Sequence, residues 1–118
     1  MMNAHEHRIQ CACVRWFALQ YPQYDGLLFA VPNGGNRDRI TGAMMKAEGV
    51  TAGVADLLLL VPSKGYHGLA IEMKTEKGRQ SPEQKQWQKK VERQGYRYTV
   101  IRSLDDFIET VNAYLHQD

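Results

Sequence analysis

The pattern of apolar and polar positions switches between helical spacing and short continuous runs. From about Asn3 to Gln20, the residues Glu6, Ile9, Cys13, Trp16 and Gln20 recur every three to four positions, which predicts a helix with these on one face. Leu27-Leu28-Phe29-Ala30-Val31 reads as a short buried strand, stopped by Pro32-Asn33-Gly34-Gly35. Arg37 to Glu48 predicts a second helix, ended by Gly49 as a left-handed cap. Two apolar runs follow, Leu57 to Val61 and Gly68 to Ile71, around the turn Pro62-Ser63-Lys64-Gly65. They predict a β-hairpin whose first arm, Leu-Leu-Leu-Leu-Val, is buried on both faces. Its second arm continues into Glu72-Met73-Lys74, with Ala70, Glu72 and Lys74 on one face and Leu69, Ile71 and Met73 on the other.

Ser81-Pro82-Glu83-Gln84 carries a helix start: serine as N-cap, proline in the first turn, glutamine at the capping-box position. That helix runs to about Gln94 and closes at Gly95. Tyr96 to Ile101 is a β-rich run. Ser103-Leu104-Asp105-Asp106 then opens a last helix with Leu104, Phe107, Ile108, Val111 and Leu115 on its apolar face. The order αβαββαβα predicts an α/β fold, a mixed sheet flanked by helices on both faces. The strand after the Gln84 helix can run parallel to the second hairpin arm through a right-handed crossover. With 118 residues, no internal repeat and no linker, residues 1–118 are expected to form one domain.

Composition narrows the function classes. A hydrophobic fraction of 43% and a charged fraction of 24% suit a soluble globular protein. A net charge of +2 excludes a polycation, so affinity for nucleic acid has to come from a local patch. Cys11 and Cys13, two apart on a helix, point to different faces and suit neither a disulfide nor a shared metal. No run approaches the ~20 apolar residues of a membrane span. No signal-peptide core opens the chain. A cytoplasmic protein is expected.

The chemistry concentrates at one end of the predicted hairpin. Asp56 opens the first arm, and Glu72 and Lys74 close the second, on one face and roughly 6–7 Å apart. A turn centred near Lys64 or Gly65 sets Asp56 opposite Glu72 or Lys74. Hydrolysis of a phosphodiester needs a neutralised phosphate, an activated water and a stabilised leaving oxygen. Mg²⁺ held by one or two carboxylates can contribute to all three. Asp56, Glu72 and the carbonyl of Met73 are candidate ligands, with Lys74 on the water or the phosphate. An exposed Glu-x-Lys ion pair on a strand would read the same way. However, charges at the end of a buried hairpin are costly unless paired or metal-bound. Glu6 shares a helical face with Ile9, Cys13 and Trp16, which points it towards the core side; an acid in a first helical turn also simply suits the helix dipole.

Lys46-Ala47-Glu48-Gly49-Val50, Gly53-Val54-Ala55-Asp56-Leu57-Leu58, Glu72-Met73-Lys74, Gly78 and Ser81 to Gln84 together resemble the VRR-NUC (virus-type replication-repair nuclease) family, a branch of the PD-(D/E)xK phosphodiesterases. The resemblance covers nearly the whole chain, whose length is that of stand-alone phage and bacterial members. It implies a restriction-endonuclease-like core, with Asp56 and Glu72 as metal ligands and Lys74 positioning the nucleophilic water. It further implies that Glu6 contacts the metal site directly or through water, and that Gln84 is the glutamine of the helix after the active strand. Ala55 departs from the family's usual proline before the aspartate, which removes rigidity but no ligand.

The resemblance implies a Mg²⁺- or Mn²⁺-dependent endonuclease. Lone members resemble Holliday-junction resolvases, so a four-way junction as substrate and a two-fold homodimer are expected. Seven basic against three acidic residues lie between Lys74 and Arg93. Lys77, Arg79, Lys85, Lys89 and Lys90 can follow a DNA backbone, and equally can form a solvated helix face. Lys46 joins the candidate DNA contacts, as does Asn33, whose loop also reads as an ordinary turn. Trp16, Phe17 and Trp87 suit either core or interface. The rivals are a nuclease acting on flaps, nicks or plain duplex, and a catalytically idle DNA-binding module.

Overall fold

The structure, a computed structural model, describes residues 2–32 and 39–116. Its elements run α1 (Ala4–Gln20), β1 (Leu28–Ala30), α2 (Arg39–Ala47), β2 (Leu57–Leu59), β3 (Leu69–Met73), α3 (Pro82–Arg93), β4 (Arg97–Ile101) and α4 (Leu104–Leu115), with a 3-10 turn at Pro22–Tyr24. The order is the one the sequence predicts, apart from that turn. Asn33, Gly34 and Gly35, and the start of the helix expected from Arg37, lie outside the described residues.

The strands form a mixed sheet in the order β1-β2-β3-β4. β1 and β2 pair antiparallel, as do β2 and β3, while β3 and β4 run parallel. The hairpin register pairs Leu57 with Ile71 and Leu59 with Leu69. One step further along this ladder brings Asp56 alongside Glu72. The parallel pair is possible because α3 returns the chain between its strands.

Alternation divides the core in two. Leu57, Leu59, Leu69, Ile71, Met73 and Ile101 face the α1–α4 layer and pack with Cys13, Phe17, Phe107, Val111 and Tyr114. Fully burying each aliphatic side chain stabilises by about 1.5–3 kcal/mol. The opposite face is smaller: Ala55, Ala70 and Tyr98 are buried there, with Leu58, Trp87, Val91 and Val100 packed around them. Trp16 and Phe17 therefore belong to the first core and Trp87 to the second. Trp16 meets Phe107 edge-on at 5.9 Å, and Trp87 meets Tyr98 at 6.2 Å.

One expectation is overturned. The Leu57–Val61 run is not buried on both faces: Leu58 is half-buried and Leu60 is 49% exposed. α3 packs on β4, so among the described residues the outer face of β2 lacks the cover a both-sided apolar strand requires. On α1 the burial centres on Cys13 and Phe17 rather than on Gln20, which is exposed. On α4, Tyr114 joins Phe107 and Val111 in the core, its hydroxyl donating to the Val61 carbonyl at 2.7 Å. Both cysteines are free, Cys11 exposed and Cys13 buried. Burial pushes the Cys13 thiol up to about 12, with the Asp106 charge adding to it.

Gly53 controls how closely the loop before Asp56 approaches α3. It has φ +84°, and a Cβ there would overlap the Glu83 carbonyl and stand 3.0 Å from the Gln84 nitrogen. Gly53→Ala is therefore expected to destabilise by about 2 kcal/mol or more, read as a lowered thermal midpoint. A melting curve identical to that of the unsubstituted protein would show that this contact is not constraining.

Candidate active site

Three sequence-distant segments meet at one end of the sheet. Asp56 precedes β2, Glu72 and Met73 end β3, Lys74 follows it, and the first turn of α3 supplies Ser81, Glu83 and Gln84. All line one open cleft of about 1030 Å³, together with Glu6 and Gln10 from α1 and Met45 and Lys46 from α2.

Glu72 is the centre of this arrangement. It is 2% exposed, the one charged residue among the buried positions described. Burial raises its proton affinity well above that of an ordinary carboxyl. A hydrogen bond shared with Asp56 and the charge of Asp56 add to this, and Lys74 and Tyr98 oppose it. Such a group is stable only if it is protonated or neutralised by a cation.

Its carboxylate is held from both sides. Gln84 Nε2 donates to Glu72 Oε2 at 3.0 Å, and the Tyr98 hydroxyl donates to Oε1 at 3.4 Å. The same Gln84 amide caps α3, its Oε1 accepting from the Ser81 N–H at 2.8 Å while its backbone N–H donates to Ser81 Oγ at 3.2 Å. The capping box fixes which end of the amide faces Glu72: the oxygen is occupied at the helix start, so the nitrogen points across the cleft.

Asp56 is half-buried. Its Oδ2 accepts the Met73 N–H at 2.7 Å, and its backbone carbonyl accepts from Val31 at 2.9 Å. The Met73 N–H thus ties Asp56 to the end of β3. Lys74 is half-buried beside the two acids, its backbone N–H donating to the Ile101 carbonyl at 3.0 Å. Glu6 lines the cleft half-buried, with Oε1 accepting from the Asn3 N–H at 3.3 Å in a capping box. Among the described residues no three His, Cys, Asp or Glu side chains gather at one point, so the acids brought together are the pair Asp56 and Glu72.

Two residues that sequence reasoning missed support Glu72. Tyr98 is buried, and burial, with the Glu72 charge second, pushes its hydroxyl up, so it remains a donor. Gln80 Nε2 donates to Tyr98 Oη at 3.2 Å and to Gln88 Oε1 at 2.8 Å. The available signal was alternation: Tyr98 and Val100 share a face of a strand that is parallel to β3, and a buried tyrosine hydroxyl needs a polar partner.

The candidate DNA contacts Lys46, Lys77, Arg79, Lys85, Lys89 and Lys90 are all exposed, and Lys46 borders the cleft. Asn33 lies outside the described residues. No described helix is long and apolar enough to cross a membrane.

Oxygen donors dominate this end of the sheet, which suits a hard divalent cation such as Mg²⁺ or Mn²⁺. Gln10 Oε1 adds an independent sign: it lines the same cleft and is buried without a hydrogen-bond partner. A buried acceptor of this kind is satisfied by a cation or by an ordered water beside one.

The family model of the VRR-NUC domain matches residues 1–105. Among solved structures, one described as a VRR-NUC domain protein superposes with a TM-score of 0.81 at 25% sequence identity, covering 98% of this chain and 91% of that one. No curated protein matches the chain.

Proposed function

Since the chain belongs to the VRR-NUC domain family, nucleases of the PD-(D/E)xK type, we propose that it is a Mg²⁺- or Mn²⁺-dependent endonuclease that cuts branched DNA, four-way junctions above other forms. Residues 1–118 act as one domain, and two copies form a homodimer in the cytoplasm. The observation that carries this reading is a buried carboxylate, Glu72, hydrogen-bonded to Asp56 in the lining of a cleft that Lys74 also lines.

Asp56 and Glu72 would hold the cation, with the Met73 carbonyl, Glu6 and Gln10 within the same cleft as further oxygen donors. A bound divalent ion neutralises phosphate charge and makes water a better nucleophile. The residues of the chain do the rest. Lys74 faces the acids from the end of β3 and orients the attacking water by hydrogen bonding. Gln84 and Tyr98 fix the plane of the Glu72 carboxylate, so its lone pairs are aimed before substrate arrives. The P–O3′ bond breaks, leaving a 5′-phosphate and a 3′-hydroxyl. Lys46, Lys77, Arg79, Lys85 and Lys89, with Asn33, lead the phosphate backbone towards the cleft. Because none of these contacts amounts to a base reader, recognition rests on DNA shape.

The test compares a four-way junction, a flap, a nicked duplex and a linear duplex of shared sequence, each with Mg²⁺, with Mn²⁺ and with chelator. Metal-dependent cutting of the junction at least about tenfold faster than of linear duplex is expected, a difference of ~1.4 kcal/mol in barrier. Equal rates on all four would remove the junction preference and leave a general nuclease. No cutting of any of them would leave a DNA-binding module.

A further inference from the structure

Arg102 lies immediately after β4, outside the cleft, and no part of the chemistry above uses it. Its Nη1 donates to three backbone carbonyls of one short loop: Thr75 at 2.7 Å, Glu76 at 3.3 Å and Gly78 at 2.7 Å. That loop is the stretch directly following Lys74. Three carbonyl dipoles converging on one point repel one another unless a cation sits among them. The arginine itself is fixed, because its backbone N–H donates to Asp106 Oδ2 at 3.1 Å and Ser103 caps the helix beside it. The neighbouring Ile101 carbonyl accepts the Lys74 N–H.

The loop in turn bounds the Lys74 side chain. Gly78 folds back through its N–H to the Thr75 carbonyl at 3.1 Å. A methyl added to Gly78 would stand 3.2 Å from Thr75 Oγ1 and 3.4 Å from Lys74 Cδ, so the backbone at Gly78 runs alongside the lysine stem. A flexible four-carbon chain has many rotamers, and a wall along its stem limits where the ammonium can go.

We propose that Arg102 is a positioning residue for Lys74: by gathering the Thr75, Glu76 and Gly78 carbonyls it holds the loop against the lysine stem and so fixes the ammonium over the site of cleavage. This rests on the nuclease reading of the cleft. It differs from that reading in placing a determinant of rate on the far side of a loop, in a residue that touches neither metal nor DNA.

The test uses Arg102→Leu and Arg102→Lys in the full chain, each also in the Lys74→Ala background. Three quantities are read: the single-turnover rate at saturating junction DNA and Mg²⁺, DNA affinity with Ca²⁺ in place of Mg²⁺, and amide exchange across residues 75–78. Arg102→Leu should slow cleavage by about tenfold to a hundredfold, as a misplacement near 1 Å can. DNA affinity should stay within about threefold, because non-contacting residues spare the phosphate term. Exchange at 75–78 should speed up. Arg102→Lys should recover most of the rate, because a single nitrogen makes all three bonds. In the Lys74→Ala background, Arg102→Leu should slow the residual reaction no further.

An Arg102→Leu protein that cuts at the full rate would overturn the proposal, as would an equal loss in the presence and absence of Lys74. Either result leaves the nuclease reading standing. A chain with its native residues that cuts no DNA removes that reading, and with it this one.

Discussion

Lys74→Ala should lower single-turnover cleavage by about 10²–10⁴-fold, the range for loss of a positioned group that acts on the reacting proton, while leaving the melting temperature nearly unchanged. The lysine is half-buried, its stem runs beside Gly78, and its charge acts on Glu72. In the metal-free protein Glu72 holds its proton, so truncation removes a cation that a neutral carboxyl does not need. Asp56 needs a different substitution. Its Oδ2 accepts the Met73 N–H, so alanine would orphan a donor inside the sheet at a cost of about 1–3 kcal/mol and confuse folding with chemistry. Asp56→Asn keeps an acceptor for Met73 and removes the charge. It should cut as poorly as Lys74→Ala, and in addition lose affinity for Mn²⁺ in a direct titration. Full-rate cleavage by both variants would dissolve the assigned site.

The second large effect is on stability. Glu72 in the folded, metal-free protein binds its proton more tightly than in the unfolded chain, with a pKa raised from 4.5 to about 9. The sign follows: a raised folded pKa stabilises the fold fully below the unfolded value, and that contribution disappears as pH rises through the folded one. Metal-free protein should therefore lose stability between about pH 4.5 and about pH 9. Glu72→Gln removes the titration, and its amide can donate to the Asp56 carboxylate as the protonated Glu72 does. At pH 8 the metal-free variant should be more stable than its parent by roughly 2 kcal/mol, and its pH profile should be flatter. Mg²⁺ should raise the melting temperature of the parent, since a ligand of the folded state alone stabilises it, and should do little for the variant. Denaturation at pH 5, 6.5 and 8, with Mg²⁺ and with chelator, checks both halves. A parent whose stability is level across that range would contradict the buried-carboxylate account.

Local signals served well where one segment decides the outcome. Ser81-Pro82-Glu83-Gln84 contains its whole helix start, and the capping box forms as the spacing predicts. The hairpin was legible because both arms are apolar and the turn between them centres on Lys64, as the pairing of Leu57 with Ile71 requires. A slip of one residue would have turned Glu72 towards the α1–α4 layer and Leu69, Ile71 and Met73 away from it. The apolar run at Leu57 misled because burial of its second face depends on where α3 settles, and α3 lies over β4. The support around Glu72 was hidden for a related reason: Tyr98 reaches it only through parallel pairing, 26 residues away, and Gln80 reaches Tyr98 from a loop. Arg102 left no trace at all, since capture of loop carbonyls follows no periodicity.

Gln84 has a consequence for which amino acids its position tolerates. Considered only as the third residue of a helix, glutamate would serve there as well or better, since it completes a capping box and favours the positive end of the dipole. Across the cleft, however, that glutamate would exchange an amide donor for a second carboxylate, beside Asp56, facing Glu72. A change that looks conservative to the helix would unbalance its neighbour, so this one side chain answers to two masters and the demand from across the cleft is the stricter.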